Sequence, residues 1–520
     1  MATAAVNEEV WEPKRNPWVM AIPTMLAAFM FVLDETIANV ALPHMAGTFS
    51  ASRDESMWIL TSYLVASGIM IPAVDWFCKL VGRKAFFIGS LIVFTVASVL
   101  CGISESLDVM ILARIVQGLG GGGLLPVSQA VLLESFPVKM RGKAMAAFGV
   151  VVILAPIIGP VFGGWITDNL DWPWIFFVNV PVGILTVFLA RKFLEDPPYA
   201  RKQENVKIDG KGFFFLTLWL VSLQVVLDKG NNADWFNAPW ICWLSFLCVV
   251  SAILFFWSQI TNKESLIDIS IFKDKNYSIG TFVQIIIQAV LLASMAILPQ
   301  FLQTLLGYSA FTSGLAIMPR GLGALSSIGI CGSLANKVDN RILAMFGLLL
   351  IGIASMMLGD LNMQISSWNI AIPNYIFGCG MGFAMIPLIS LSVVTLRNDQ
   401  MTNASGVQHL LKNIGGAIGT SVVTTLIARY SQKHQFMMVG NLSNLNEVFN
   451  TKVAAIQSAL SHYTSPNIAH HMAEYYLYGQ LLRQSTLWGF IEAFRLCGVA
   501  ALIVIPLLFL IKKIDFKKSN

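Results

Sequence analysis

The chain has 520 residues, of which 56% are hydrophobic and only 12% charged, and its mean hydropathy is +0.69. A soluble domain carries about 25% charged residues, so a water-soluble globule is excluded and lipid must act as part of the solvent. The formal net charge of +5 belongs to the loops, as shown below, and no nucleic-acid partner is read from it.

A bilayer core about 30 Å thick takes about 20 apolar residues per helix. On that measure the sequence predicts about fourteen membrane-spanning helices. They centre near residues 29, 66, 95, 122, 156, 184, 221, 249, 290, 322, 350, 382, 415 and 500, and the one at 221 is the weakest. Gly and Pro recur inside them, as membrane helices tolerate. The first 16 residues are polar; the span after them is too long for a signal-peptide core and lacks a small-residue cleavage site, so it is expected to stay. The seven cysteines, 78, 101, 242, 248, 331, 379 and 497, lie in or beside apolar segments and form no C-x-x-C pair. They read as small hydrophobes, with no disulfide framework and no metal site.

Lys and Arg set the orientation. With the N-terminus inside, the inner loops hold Lys79, Arg83 and Lys84, then Lys139, Arg141 and Lys143, then Arg191 to Lys211. They continue with Lys263, Lys273, Lys275, Lys337, Arg341 and Arg397, and the tail adds Lys512, Lys513, Lys517 and Lys518. The short outer loops contribute only Arg53 and Lys229. Both termini are therefore expected in the cytoplasm. Residues 195–211 form a basic, Pro-bearing linker, and 431–487 read as one long outer loop. Its stretch IAHHMAEYYLYGQLL has amphipathic helical spacing, suited to lying on the membrane or a partner.

Four patterns carry chemistry. FVLDETIANVALP sets Asp34 and Glu35 inside the first apolar span, and ILARIVQGLGGGG sets Arg114 before Gln117 and Gly118 in the fourth. GVVVILAPIIGPVFGGWI carries Gly149, Pro156, Gly159, Pro160, Gly163 and Gly164 in the fifth. DWFCKLVGRK, with Asp75, Lys79, Gly82, Arg83 and Lys84, joins spans two and three. Taken in chain order, and with WIFFVNVPVG at 174–183, they resemble the major facilitator superfamily in its fourteen-helix drug:proton antiporter branch, from about residue 18 to 430.

The resemblance implies an all-α membrane protein of two six-helix bundles with two extra helices between them. The expected divisions are a cytoplasmic N-terminus (1–16), a first bundle (17–194), a linker with the inserted helices (195–275), a second bundle (276–512) and a cytoplasmic tail (513–520). A faint internal repeat agrees, because GSLANKVDNR at 332–341 takes the register of DWFCKLVGRK at 75–84. Such repeats place cargo near the midplane between the halves.

An intramembrane carboxylate is costly unless it faces a cavity or a partner. Asp34 suits reversible proton binding, with a structural cap as the bland alternative. Glu35 points about 100° away around the helix and is either a second acid or a mouth residue. Arg114 stays protonated and needs a counter-charge; the resemblance assigns it to proton coupling, against a static ion pair. The Gly and Pro run is a backbone device for close helix contact and a pliable seam, or ordinary small-residue packing. The 75–84 segment departs from the family pattern. Asp75 stands where Gly is usual and Lys79 where Asp is usual, so this cytoplasmic latch has altered charge. Asp75 and Lys79 have the i,i+4 spacing to pair, and the equivalent acid position in the second half is Asn336. Gln117, Arg320, His409 and Lys412 are candidate cargo contacts, with Arg320 and Lys412 suited to anionic cargo; Glu492 and Arg495 suit the interface. His470 and His471 read as surface residues. The content of Met and Phe suits an adaptable apolar pocket.

These features point to a proton-driven exporter of hydrophobic or amphipathic compounds, in the manner of multidrug efflux and antibiotic resistance, set in a bacterial inner membrane. No Walker A sequence occurs, so a proton gradient rather than a cofactor or ATP is the expected energy source. The rival on the same fold is an importer or uniporter of a small metabolite. A membrane-embedded enzyme lacks a catalytic cluster, and a scaffold or receptor has no reason to keep intramembrane acids. Family members also imply a periplasmic adaptor and an outer-membrane channel, with residues 431–487 as the docking element.

Overall fold

The computed structural model describes residues 14–202, 209–262, 267–308, 310–334, 338–397, 400–443 and 445–512. Asn336, Lys337, Lys263, Lys513, Lys517 and Lys518 lie outside the described residues, as do 203–208 of the linker and most of the N-terminal stretch.

The described residues are helical throughout, with fourteen helical segments long and apolar enough to span a bilayer. The first six spans come from α1 (Pro17–Thr48), α3 (Trp58–Val81), α4 (Arg83–Gly102), α5 with α6 (Leu107–Gly121 and Leu124–Ser135), α7 (Val138–Asn169) and α8 with α9 (Trp174–Phe177 and Asn179–Phe193). A one-turn α2 (Arg53–Ser56) precedes α3. The inserted pair is α10 (Gly210–Lys229) and α11 (Pro239–Thr261). The last six are α12 (Lys275–Thr304), α13 (Ala310–Leu334), α14 (Asn340–Leu358), α15 (Ser367–Val393), α16 (Met401–Val439) and α18 (Pro466–Ile503), with α17 (Glu447–Leu460) before the last.

Helix ends follow local chemistry. The Asn16 side chain accepts from the Trp18 amide ahead of Pro17, and Ser106, Asp209, Asp274 and Asp339 cap α5, α10, α12 and α14 in the same way, satisfying amides that have no partner within the helix. Gly82, at φ 90°, makes the reversal between α3 and α4, a conformation costly for any residue with a Cβ.

Each half has its own core. One apolar cluster gathers Val283, Ile297, Phe301, Phe377, Phe490 and Phe494 from the second half alone, and two others draw only on the first. Three further clusters join the halves. Leu132, Phe136, Ala144 and Phe148 pack with Val393 and Met401; Ala146 and Val150 of α7 pack with Ile328 and Ile386; Ile69 and Ile71 pack with Ala404 and Val407, together with Leu216 and Phe255 of the inserted pair. All three draw on the ends of helices nearer the chain termini. No apolar cluster among the described residues joins the halves at the opposite end.

The sequence reading of 431–487 as a loop needs correction. Helix α16 runs on to Val439, and α18 is continuous from Pro466 to Ile503. At 1.5 Å per residue α18 is about 57 Å long, roughly twice the bilayer core. IAHHMAEYYLYGQLL is thus the first part of one long helix, continuous with the apolar segment that follows it. Its apolar side covers α17, where Phe449 and Val453 meet Ala473 and Leu477. Gly489 sits against the Ile427 carbonyl, and His434 stacks on Trp488, so α16 and α18 project as one packed pair.

Candidate functional site

Asp34 lies on α1 with no exposed surface. Its Oδ2 accepts from Arg114 Nη1 at 2.6 Å, and its Oδ1 accepts from Gln117 Nε2 at 2.9 Å and from Asn179 Nδ2 at 2.8 Å. Arg114 and Gln117 are also fully buried; they sit one turn apart on α5, which lets Arg114 Nη1 donate to Gln117 Oε1 at 2.8 Å as well. Arg114 Nε reaches the Ile59 carbonyl at 3.0 Å, and the guanidinium lies 4.1 Å from the centre of the Tyr63 ring. Four helices thus hold one ion pair. Each contact offsets part of the desolvation that a buried charge pair must meet.

Gln117 was expected to meet cargo; it belongs instead to the carboxylate's own network, because α5 turns its amide toward α1. Asn179 was not singled out from sequence, although it stands in the quoted WIFFVNVPVG stretch as an uncharged polar residue in an apolar run. It also donates to Ser98 Oγ at 3.1 Å. Cys101, read as a small hydrophobe, places its Sγ 3.4 Å from Gln117 Oε1. Glu35 is half-buried; no side-chain hydrogen bond or ion pair of its carboxylate is seen among the described residues, and its carbonyl accepts from Asn39 Nδ2 at 3.0 Å. An apolar crevice of about 210 Å³ opens between Phe29, Leu33, Phe162 and Val182, with Asn179 in its wall.

The Gly and Pro run lies on α7, which packs along α1 beside this site. A Cβ at Gly159 would meet the Thr36 hydroxyl, and one at Gly163 would come within 2.7 Å of Ile37 Cγ1. Thr36 and Ile37 lie two and three residues beyond Asp34, so the close helix approach and the ion pair share one stretch of α1. Gly149 faces the other half, with Ile328 and Ile386 at 3.6 Å and 3.7 Å from a Cβ built there. Pro156 and Gly164 are half-buried on the same helix, and Pro160 is part of its run.

In the 75–84 segment, Asp75 and Lys79 form the expected i,i+4 ion pair, at 2.6 Å. Arg83 Nη1 donates to both carboxylate oxygens of Glu134, each at 2.8 Å, and Arg83 is only 2% exposed. The Lys84 amide donates to Asp196 Oδ1 at 2.9 Å, just beyond α9. Burial pushes the Asp196 carboxyl up from its ordinary value, against the opposing pull of Arg83 and Lys84. These contacts tie the 82–84 turn to the ends of α6 and α9 within the first half.

The remaining cargo candidates separate. His409 Nε2 and Gln129 Oε1 lie 2.7 Å apart, a hydrogen bond that crosses between the halves from α16 to α6. Lys412, one turn further on, is 6% exposed and no carboxylate pairs with it among the described residues. Arg320 is inside the second half, bound to Asn374 and Ser294. Arg495 pairs with Asp360 at 3.0 Å, so it has a partner at the surface. His470 and His471 flank Glu474 at 3.4 Å and 3.3 Å, and no group that could hold a metal ion occurs among the described residues.

The fold agrees with the findings from known proteins. The model of the Major Facilitator Superfamily matches residues 24–420. The chain belongs to the Major Facilitator Superfamily. It is 35% identical to the probable multidrug resistance protein EmrY of Escherichia coli K12 over 84% of this chain and 85% of that one. It is 34% identical to the multidrug export protein EmrB of the same organism, over 82% and 83%. The crystal structure of the human organic anion transporter MFSD10 superposes with a TM-score of 0.63 at 13% identity, covering 95% of this chain and all of that one, a likeness of fold.

Proposed function

We propose that the protein is a proton-coupled antiporter that exports hydrophobic or amphipathic compounds from the cytoplasm by alternating access. The observation that carries this reading is Asp34, a carboxylate fully buried within a spanning helix and held by Arg114, Gln117 and Asn179. A proton arriving at Asp34 neutralises it, weakens its hold on Arg114, and leaves the guanidinium to seek other acceptors. Because Thr36 and Ile37 are the residues against which Gly159 and Gly163 close, a change at Asp34 is transmitted to the α1–α7 seam. Residues 17–194 and 276–512 are the two rocking bodies, and 195–275 is the linker with its inserted helices.

The apolar clusters joining the halves lie at the terminal side, which the loop charges assign to the cytoplasm, so this arrangement is closed inward. Opening inward requires the Gln129–His409 bond and the α7 contacts with Ile328 and Ile386 to part. His409 and Lys412 then face the cargo path. Arg83, Glu134, Lys84 and Asp196 brace the cytoplasmic end of the first half as a rigid body. The chain is read as a multi-pass protein of a bacterial inner membrane with both termini cytoplasmic. The projecting α16–α17–α18 assembly, with Phe436 and Tyr475 exposed, suits docking of a periplasmic adaptor that leads to an outer-membrane channel. Replacing residues 440–465 by a short turn leaves export across the inner membrane intact and abolishes export across a two-membrane envelope; unchanged export across both counts against the adaptor.

Purified protein in liposomes tests coupling. With a pH gradient imposed, wild type drives cargo against its own gradient and Asp34→Asn does not, while keeping cargo binding. Equal uphill transport without a pH gradient, or a fully coupled variant, contradicts the proposal and favours a uniporter.

A further inference from the structure

The two halves repeat the arginine site in altered form. Ser294, Asn374 and Phe377 follow Asp34, Arg114 and Gln117 at one constant sequence offset. The packing repeats too. Gly118 on α5 sits against the Tyr63 carbonyl of α3, and Gly378 on α15 sits against the Arg320 carbonyl of α13. One turn on, Gly122 meets the Ser67 carbonyl, and Gly382 has the Ala324 carbonyl 3.1 Å from a Cβ built on it. Arg320 therefore occupies the place that Tyr63 holds in the first half.

The consequence is a cation–ring pair with its members exchanged. In the first half, the Arg114 guanidinium of α5 lies 4.1 Å from the Tyr63 ring centre on α3. In the second, the Arg320 guanidinium of α13 lies 4.2 Å from the Phe377 ring centre on α15. The cation has been kept and the acid has been lost, since Ser294 stands where Asp34 stands. Arg320 Nη1 donates to Ser294 Oγ at 3.0 Å and Nε donates to Asn374 Oδ1 at 3.1 Å. Arg320 is 6% exposed, and its Nη2, like that of Arg114, has no hydrogen-bond partner; the difference is that Asp34 balances the charge of Arg114. No carboxylate pairs with it among the described residues. Two neutral acceptors and one ring face do not balance a buried guanidinium, because an uncompensated charge in a dry interior is strongly unfavourable. A buried guanidinium with an open donor and no counter-charge favours an ion beside it, and a net positive site selects an anion.

We propose that a small monovalent anion, chloride in the cell, binds at Arg320 Nη2 beside Ser294 and serves as the counter-ion that the second half no longer encodes. The anion is small because Ser294, Asn374 and Phe377 are each at most 1% exposed and the site is walled by the second half's own apolar core. A bulky amphipathic carboxylate has no room there, which removes Arg320 from the cargo contacts. The proposal stands independently of proton coupling at Asp34.

The test uses the full-length protein in detergent at constant ionic strength, with chloride exchanged for gluconate. The unfolding midpoint of wild type rises with chloride along a saturating binding curve. Ser294→Asp, which restores a carboxylate at the position matching Asp34, loses that chloride dependence while remaining folded in gluconate; Arg320→Gln loses it as well. A wild type indifferent to chloride overturns the proposal, and so does a chloride dependence that survives Ser294→Asp. A midpoint raised only by an anionic amphipath overturns the small-anion assignment in favour of cargo. Crystals grown in bromide decide the matter even where the variants do not fold: anomalous signal within hydrogen-bond reach of the Arg320 guanidinium is expected, and its absence refutes the site.

Discussion

Gly163 offers a sharp steric test of the α1–α7 seam. A methyl group there lies 2.7 Å from Ile37 Cγ1 and 3.2 Å from the Ile37 carbonyl oxygen, well inside normal contact. Overpacking of this kind costs about 1–3 kcal/mol. The seam must yield by several tenths of an ångström, against the stretch of α1 that follows Asp34. If the penalty falls mainly on the inward-closed arrangement described above, Gly163→Ala shifts the conformational balance by about 5–150-fold. The Gly149→Ala variant is the control, because its new methyl meets nothing nearer than 3.6 Å. The assay pairs proton-driven export in liposomes with thiol labelling of a reporter cysteine at the inner gate, position 146 or 150. Gly163→Ala is expected to lose most transport and to expose the inner reporter; Gly149→Ala stays near wild type in both. A Gly163→Ala protein with unaltered transport and labelling, or a Gly149→Ala protein equally impaired, refutes the argument.

Asn179→Ala removes one of three donors to the Asp34 carboxylate. A hydrogen bond to a charged group contributes about 1.5–3 kcal/mol, so uphill export falls by at least about tenfold and its pH profile moves, with the protein still folded; a profile that stays in place speaks against a role for Asn179. Arg83→Gln breaks the buried two-oxygen contact to Glu134 and lowers stability by about 3–5 kcal/mol. The paired change Arg83→Met with Glu134→Leu costs less than either single loss, as thermal unfolding of all variants will show. At Asp196 the raised carboxyl means that the folded state favours the protonated form. The stability this provides is present at low pH and is lost as pH rises through the folded-state value. Asp196→Asn is therefore at least as stable as wild type at pH 7, and the difference closes as pH falls into the carboxylate range, measured by unfolding midpoints across pH.

Much of the architecture was legible because lipid imposes a length rule. The fourteen apolar runs coincide with spanning helices, including the weak one at 210–229. Asp34 and Arg114 stood out as charges inside apolar runs, and Asp75 with Lys79 stood out through local spacing. The partners that needed tertiary contact did not. Glu134 meets Arg83 only because α6 ends beside the α3–α4 turn, and nothing in its own neighbourhood marks it. Asn179 is uncharged, so hydropathy passed over it. The α16–α18 projection was missed for a related reason. Its polar faces lower the hydropathy that identifies a span, while the helical periodicity that would have extended α18 back to Pro466 was read as an isolated surface helix.

Asp34 as the proton-carrying group can be examined without any transport assay. Purified protein in weakly buffered detergent solution, mixed with an exported compound and monitored by a pH indicator, reports proton release on binding. The account predicts proton release from wild type when the compound binds, and none from Asp34→Asn despite retained binding. Equal proton release from the two proteins contradicts it.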